Sequence, residues 1–268
     1  MMRRWEVRRP FAPARGLMLV TAGVISMALL GRSDAAAGSE GENSCQVCHS
    51  NPDFLVQNKK LYDYYQEWKT SIHQQEDVSC EDCHGGDPSN FEKDAAHGEG
   101  VGASNPASGT YYKNIPETCG TCHTDIVDGF RESHHFQHLE ILADVGQGPS
   151  CVTCHGSINS EVLDVNSVSA ACARCHNEKT ENHPELPEQA REILNRFLSI
   201  HRFYRYITIH SEPEEAKAFF SKVDSDLDHL SVTWHTFALE EIDRETMEVL
   251  ATMKAKRDEL RARKKAAE

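Results

Sequence analysis

One short motif is written five times and uses every cysteine in the chain. The copies are Cys45-Gln-Val-Cys48-His49, Cys80-Glu-Asp-Cys83-His84, Cys119-Gly-Thr-Cys122-His123, Cys151-Val-Thr-Cys154-His155 and Cys172-Ala-Arg-Cys175-His176. C-x-x-C-H is the attachment signature of c-type haem. Its two thiols add to the two vinyl groups of the porphyrin, and the adjacent imidazole becomes the proximal ligand of the iron. Three other chemistries use paired cysteines. A disulfide framework has no reason to place His after every second Cys. Zinc sites combine C-x-x-C pairs with wider histidine spacings. Thioredoxin-like motifs occur singly, on a βαβ unit. The expectation is therefore five covalent haem c groups, held by Cys45, Cys48, Cys80, Cys83, Cys119, Cys122, Cys151, Cys154, Cys172 and Cys175. His49, His84, His123, His155 and His176 are the proximal ligands.

The N-terminal segment agrees with that chemistry. Arg3, Arg4, Arg8, Arg9 and Arg15 precede an apolar run from Leu17 to Leu30, and Ala35-Ala36-Ala37-Gly38 follows. This is the order of a secretory signal peptide. The run is shorter than the roughly 20 residues a spanning helix needs, so cleavage near Ala37 is expected, with a retained membrane anchor as the alternative. A periplasmic or extracellular location follows, where haem is attached to such motifs. The formal charge of −14 argues against nucleic acid as a partner, because a phosphate backbone demands Lys and Arg. Removing residues 1–37 takes away six basic and two acidic residues and leaves about −18. Hydrophobic residues make up 39% and the mean hydropathy is −0.57, thin material for an ordinary apolar core. Covalent porphyrins are expected to supply part of what is missing.

The first cysteines of successive motifs are 35, 39, 32 and 21 residues apart. Taken in pairs they show a longer period: 74 residues from Cys45 to Cys119 and 71 from Cys80 to Cys151. The second member of each pair continues into glycine, as His84-Gly85 and His155-Gly156. Trp68-Lys-Thr-Ser71-Ile-His73 lies between the members of the first pair, and Phe130-Arg-Glu-Ser133-His-His135 between those of the second. These are two divergent copies of a dihaem unit followed by a fifth motif.

Residues Trp68 to His73, set seven residues before Cys80, and the run Cys83-His84-Gly85-Gly86-Asp87-Pro88 resemble the multihaem c-type cytochromes related to hydroxylamine oxidoreductase and to the tetrahaem cytochrome that accepts its electrons. The resemblance spans about Cys45 to His176. Five motifs make this chain neither the tetrahaem nor the octahaem member. It also departs from the related pentahaem nitrite reductases, whose catalytic haem usually has Lys in place of the motif His. The resemblance implies a distal ligand at His73 and another at His97. The internal repeat adds His135, with His134 and His138 on one helical face as its neighbours. His183, His201, His210, His229 and His235 follow the last motif, and one or two of them are expected to return to a haem. The expected metal-ligand set is thus the five motif histidines with His73, His97, His135, His138 and His183.

After Gly156 no glycine occurs, and Pro213 is the last proline. Pro187 is expected to open a helix, Ser211-Glu-Pro-Glu-Glu a second, and a final helix is expected from about residue 225 to 263. The organisation read from the sequence is a leader at 1–37, a pentahaem region at 38–184 and a helical region at 185–268. The fold class is mainly α with extensive loops around stacked haems. The functional expectation is an exported carrier that moves electrons between redox-protein donors and acceptors. Two alternatives stand beside it. One is a reductase or oxidase of nitrite, hydroxylamine or a similar nitrogen compound at a five-coordinate haem. The other is a haem subunit of a membrane-associated respiratory complex or of a cytochrome filament. The carrier reading names no catalytic residue.

Overall fold

The computed structural model describes residues 42–142, 148–156 and 164–267. The expected leader lies outside them. The protein is mainly α, with no strand among the described residues. Eleven short helices carry the motif region: α1 (Ser44–His49), α2 (Asp53–Gln57), α3 (Lys59–Thr70), α4 (Ile72–Gln75), α5 (Cys80–His84), α6 (Lys93–His97), α7 (Ile115–Gly120), α8 (Thr124–Arg131), α9 (His134–Leu142), α10 (Cys151–His155) and α11 (Val165–Ala173). Three long helices follow: α12 (Leu186–His210), α13 (Pro213–Thr236) and α14 (Leu239–Ala267). Among the described residues, no helix is long and apolar enough to cross a membrane.

The apolar core lies mostly in the long helices. Ile200 and Ile207 of α12, Phe220, Val223 and Leu230 of α13, and Val249, Met253 and Leu260 of α14 pack together. Among the described residues of the motif region, few apolar side chains are buried: Val127, Phe130, Leu139, Val165 and Val168, with Pro116. So many short helices with so few shared apolar contacts need another organiser.

Two proline starts form as the sequence suggests. Pro187 lies in the first turn of α12, and Pro213 opens α13 with Glu214 and Glu215 behind it. Acidic side chains at that end complement the helix dipole. The single final helix expected from 225 to 263 does not form. The chain leaves α13 at Thr236, turns through Phe237 in the left-handed conformation (φ 57°) and restarts at Leu239. No glycine or proline marks this break. Tertiary packing makes it, because the Phe237 ring is drawn against Phe130 and His135, with centroids at 6.4 and 4.3 Å. The 3–4 spacing of Leu239, Ile242, Thr246, Val249 and Met253 belongs to α14 alone.

Ion pairs tie α14 to its neighbours. Arg196 of α12 pairs with Asp243 and also donates to the buried Thr246 hydroxyl at 3.2 Å. Glu215 of α13 accepts from Lys256 at 2.6 Å and from Arg263 at 2.8 Å. The Lys256 bond, followed by Arg263, holds the Glu215 carboxyl below its usual value near 4.5. A carboxylate depressed in the folded state stabilises fully above its unfolded pKa, and that contribution fades as pH falls through the folded value. Glu215→Gln should lower the thermal midpoint at neutral pH. The gap to the parent should narrow as pH falls below the ordinary carboxylate range, as followed by far-UV circular dichroism of the haem-loaded protein.

Candidate haem sites

Each motif forms one helical turn, and a turn is what brings positions i, i+3 and i+4 to one side. Motifs one, two and four lie wholly within α1, α5 and α10. Motifs three and five begin in α7 and α11 and close the turn by backbone bonds from His123 to the Cys119 carbonyl and from His176 to the Cys172 carbonyl, both 2.9 Å. The second and fourth motifs share a local design. Ser79 and Ser150 precede them, and their backbone N–H groups donate to the side chains of Asp82 and Thr153 three residues on, at 2.7 and 2.9 Å. Gly85 and Gly156 end them at the same φ of 71°, a conformation that costs a side-chain-bearing residue about 1 kcal/mol or more.

The ten thiols form no disulfide. Burial pushes Cys80 and Cys154 up to about 11, so these are protonated thiols rather than thiolates. Among the described residues no three His, Cys, Asp or Glu side chains converge as a metal-ion cluster. That geometry fits thioether attachment and not a zinc framework.

The motif turns adjoin one another in chain order. Asn43, at the start of α1, donates to Glu81 of α5 at 2.9 Å. Gly109 lies against the Cys83 carbonyl and accepts from Thr118 of α7 at 2.8 Å. The Cys119 and Cys151 side chains are near enough to perturb each other electrostatically. Tyr112 bridges from the approach to α7 to the Gly148 carbonyl and the Thr153 hydroxyl, at 2.9 and 2.8 Å. Arg174, inside the fifth motif, donates to the Thr153 carbonyl of the fourth.

The histidines divide by burial. Four of the ten outside the motifs are half-buried: His73, His97, His135 and His235. Each faces a motif histidine. Ring centroids are 6.2 Å apart for His49 and His97, 6.4 Å for His123 and His73, 6.0 Å for His176 and His135, and 6.1 Å for His155 and His235. Imidazole nitrogen binds a transition metal at about 2.0–2.1 Å and sits about 1.1 Å from the ring centre, so two imidazoles across one ion lie about 6.2 Å apart. The four pairs match that gap, and the donor sets fit haem iron. Several rings are also oriented from behind. The Nδ1 atoms of His97, His176 and His235 donate to the carbonyls of Lys93, Asn182 and Ser231 at 2.7, 3.0 and 2.7 Å. A carbonyl only accepts, so the proton is on Nδ1 and the Nε2 lone pair is free for a metal. Burial holds the pKa values of His49, His123, His155 and His235 down and that of His135 at about 4, which keeps these imidazoles neutral.

The two repeated segments build their histidines alike. Ser71 and Ser133 are fully buried. The hydroxyl of Ser71 donates to the Trp68 carbonyl at 2.7 Å and that of Ser133 to the Phe130 carbonyl at 2.6 Å. Each then accepts from the backbone of the following helix, from Gln74 at 3.3 Å and Phe136 at 3.0 Å. His73 and His135 are each the second residue of the helix so capped.

His138 and His183 are not brought to any motif histidine. His138 is exposed on α9, and His183 is exposed with its Nδ1 3.2 Å from Glu185. His134, His201, His210 and His229 are exposed as well. His235 takes a place the sequence did not single out, because its pattern on α13 does not separate it from His229. Only its half-buried position near α8 does. Among the described residues, no second imidazole faces His84. Its Nδ1 is 3.4 Å from the Thr110 hydroxyl, and it borders a cleft of about 420 Å³ lined also by Gly85, Gly86, His97, Gly98 and Thr118.

Residues 106–177 match the family model described as cytochrome c7 and related cytochrome c. The segment holds the third, fourth and fifth motifs. The match supports a multihaem c-type cytochrome that carries covalent haem c and exchanges electrons with redox partners. No curated protein and no solved structure matches the chain.

Ser133→Ala removes a buried cap and should cost about 0.5–2 kcal/mol in chemical denaturation of the haem-loaded protein. Ser71→Ala should cost a similar amount.

Proposed function

We propose that this is an exported pentahaem c-type cytochrome that carries electrons through five covalent haems attached in chain order. The reading rests on one observation above the rest: four of the five motif histidines face a second imidazole at 6.0–6.4 Å. Haem iron supplies a one-electron couple, and the chain's residues set how it behaves. Paired imidazoles fill both faces of the iron, exclude substrate and hold the coordination fixed between oxidation states. The succession of contacts between neighbouring motif turns favours a relay with motif one at one end and motif five at the other. The arginine-rich leader favours export, where redox proteins of a periplasm or cell surface, or a membrane-associated respiratory complex, are the partners. A body near −18 favours a basic docking face on such a partner. The Trp68–His73 segment supports kinship with the hydroxylamine oxidoreductase-related cytochromes.

His84 supports a second reading, in which the same chain also binds a small ligand. Its motif is capped like that of His155, yet no imidazole faces it and a cleft adjoins it. A haem held there by Cys80, Cys83 and His84 would have one face that no described imidazole adjoins. Small nitrogen compounds such as nitric oxide or hydroxylamine suit such a face.

The holoprotein should hold five haems per chain by pyridine haemochrome and intact mass. Replacing Cys80 and Cys83 with Ala should remove one haem and slow electron passage between the end haems by at least tenfold. Loss of that haem with unchanged passage would overturn the ordered relay. In the ferric protein, four haems should be low-spin, and cyanide should convert one high-spin signal to low-spin. Five low-spin haems with no response to cyanide would leave the carrier reading and remove the second.

A further inference from the structure

His235 stands on the last turn of α13, far along the chain from every motif, yet its ring faces His155. The ring planes lie within 15° of parallel with centroids 6.1 Å apart. The Ser231 carbonyl, one turn back, fixes the ring and its tautomer at 2.7 Å. This bond leaves Nε2 as the only nitrogen able to bind a metal. The helix itself is seated closely. A Cβ added at Gly129 of α8 would come within 2.8 Å of the Val232 carbonyl of α13, so the absence of a side chain at 129 permits the approach that brings His235 in. Two residues further on, the Phe237 ring lies edge-on to His135, the imidazole that faces His176 of the fifth motif. Trp234 extends the same patch, touching Phe237 and, from α12, Phe197.

We infer that α13 is a ligand-bearing arm: His235 supplies the sixth ligand to the haem held by Cys151, Cys154 and His155, while Phe237 positions His135 at the neighbouring fifth site. The C-terminal helices are then part of the relay rather than a cover over it. The inference rests on the proposal that the motifs carry haem. It goes further by assigning a ligand from outside the motif region and by joining two sites through one helix end. The comparison with His84 supports it. The second and fourth motifs share their helix starts and glycine ends, but among the described residues only the fourth has its histidine facing one from α13.

The test uses the full-length, haem-loaded chain. His235→Ala should retain five haems by haemochrome and mass, while ferric electron paramagnetic resonance gains one high-spin haem over the parent. His235→Gly should regain the low-spin signal on addition of imidazole. His235→Met should add the near-infrared band of methionine-ligated ferric haem. Gly129→Ala should produce part of the same high-spin gain by holding α13 away, and His229→Ala should produce none. Phe237→Ala should shift the low-spin g values of one further haem without changing its spin state. A His235→Ala protein with five haems and the parental low-spin count overturns the ligand assignment, even if it is less stable. Unchanged g values in Phe237→Ala overturn the positioning of His135. Fewer than five haems in the parent protein would instead count against the pentahaem proposal.

Discussion

The opposed imidazole pair is the interaction on which the rest of this fold depends. A motif turn is only five residues long and buries little by itself. The motif region contributes few buried apolar side chains, and its short helices are below the length at which helices persist in isolation. What recurs instead is a pair of imidazoles at one fixed separation, contributed by segments distant in the chain. If an iron joins each pair, every ligation closes a loop between such segments and replaces part of the missing apolar core. The helices of the motif region then serve mainly as pedestals, each aiming one ring. Their caps make sense in that light. Ser71, Ser133, Ser79 and Ser150 fix helix starts whose position determines where an imidazole points.

The pairing also has a direction. His73, between motifs one and two, faces motif three; His135, between motifs three and four, faces motif five. Each repeated segment therefore reaches two motifs ahead. On this view the fifth motif is the attachment site that the second copy's histidine requires, not a stray addition to a duplicated dihaem unit. The first motif has no preceding copy to reach it and is faced by His97 from behind the second motif. The repeat thus specifies ligation between units as much as within them, and its ends need separate solutions.

Much of this was legible in the chain, and the reason is local. C-x-x-C-H is covalent chemistry written in five adjacent residues, and the aromatic-x-x-Ser-x-His segment is a helix cap written in six. Both are short enough for spacing alone to reveal them. His97 could be placed through its resemblance to relatives. His138 and His183 drew attention by closeness to other ligands or motifs, but closeness in sequence does not turn a ring inward; burial does, and both are exposed. His235 was hidden for the opposite reason. Its placement depends on α13 lying against α8 and on a helix break at Phe237, which carries none of the usual glycine or proline signals. That break follows from a ring seeking Phe130 and His135, a tertiary event that periodicity cannot report.

The contrast between His84 and His155 carries the argument furthest. Two motifs with the same serine cap, the same glycine end and the same φ offer their imidazoles in the same way. Local sequence therefore does not determine whether such a haem is closed. What differs is the neighbour: beside the fourth motif lies a long helix with a histidine on its last turn, while beside the second lies a glycine-lined cleft. Closing an iron with a second imidazole favours electron passage, and leaving it open favours ligand binding. A chain that duplicates one dihaem unit and then appends three helices can in this way make two different sites from one motif. On the proposed reading the appended helices decide the difference, since they present a histidine to one copy and not to the other.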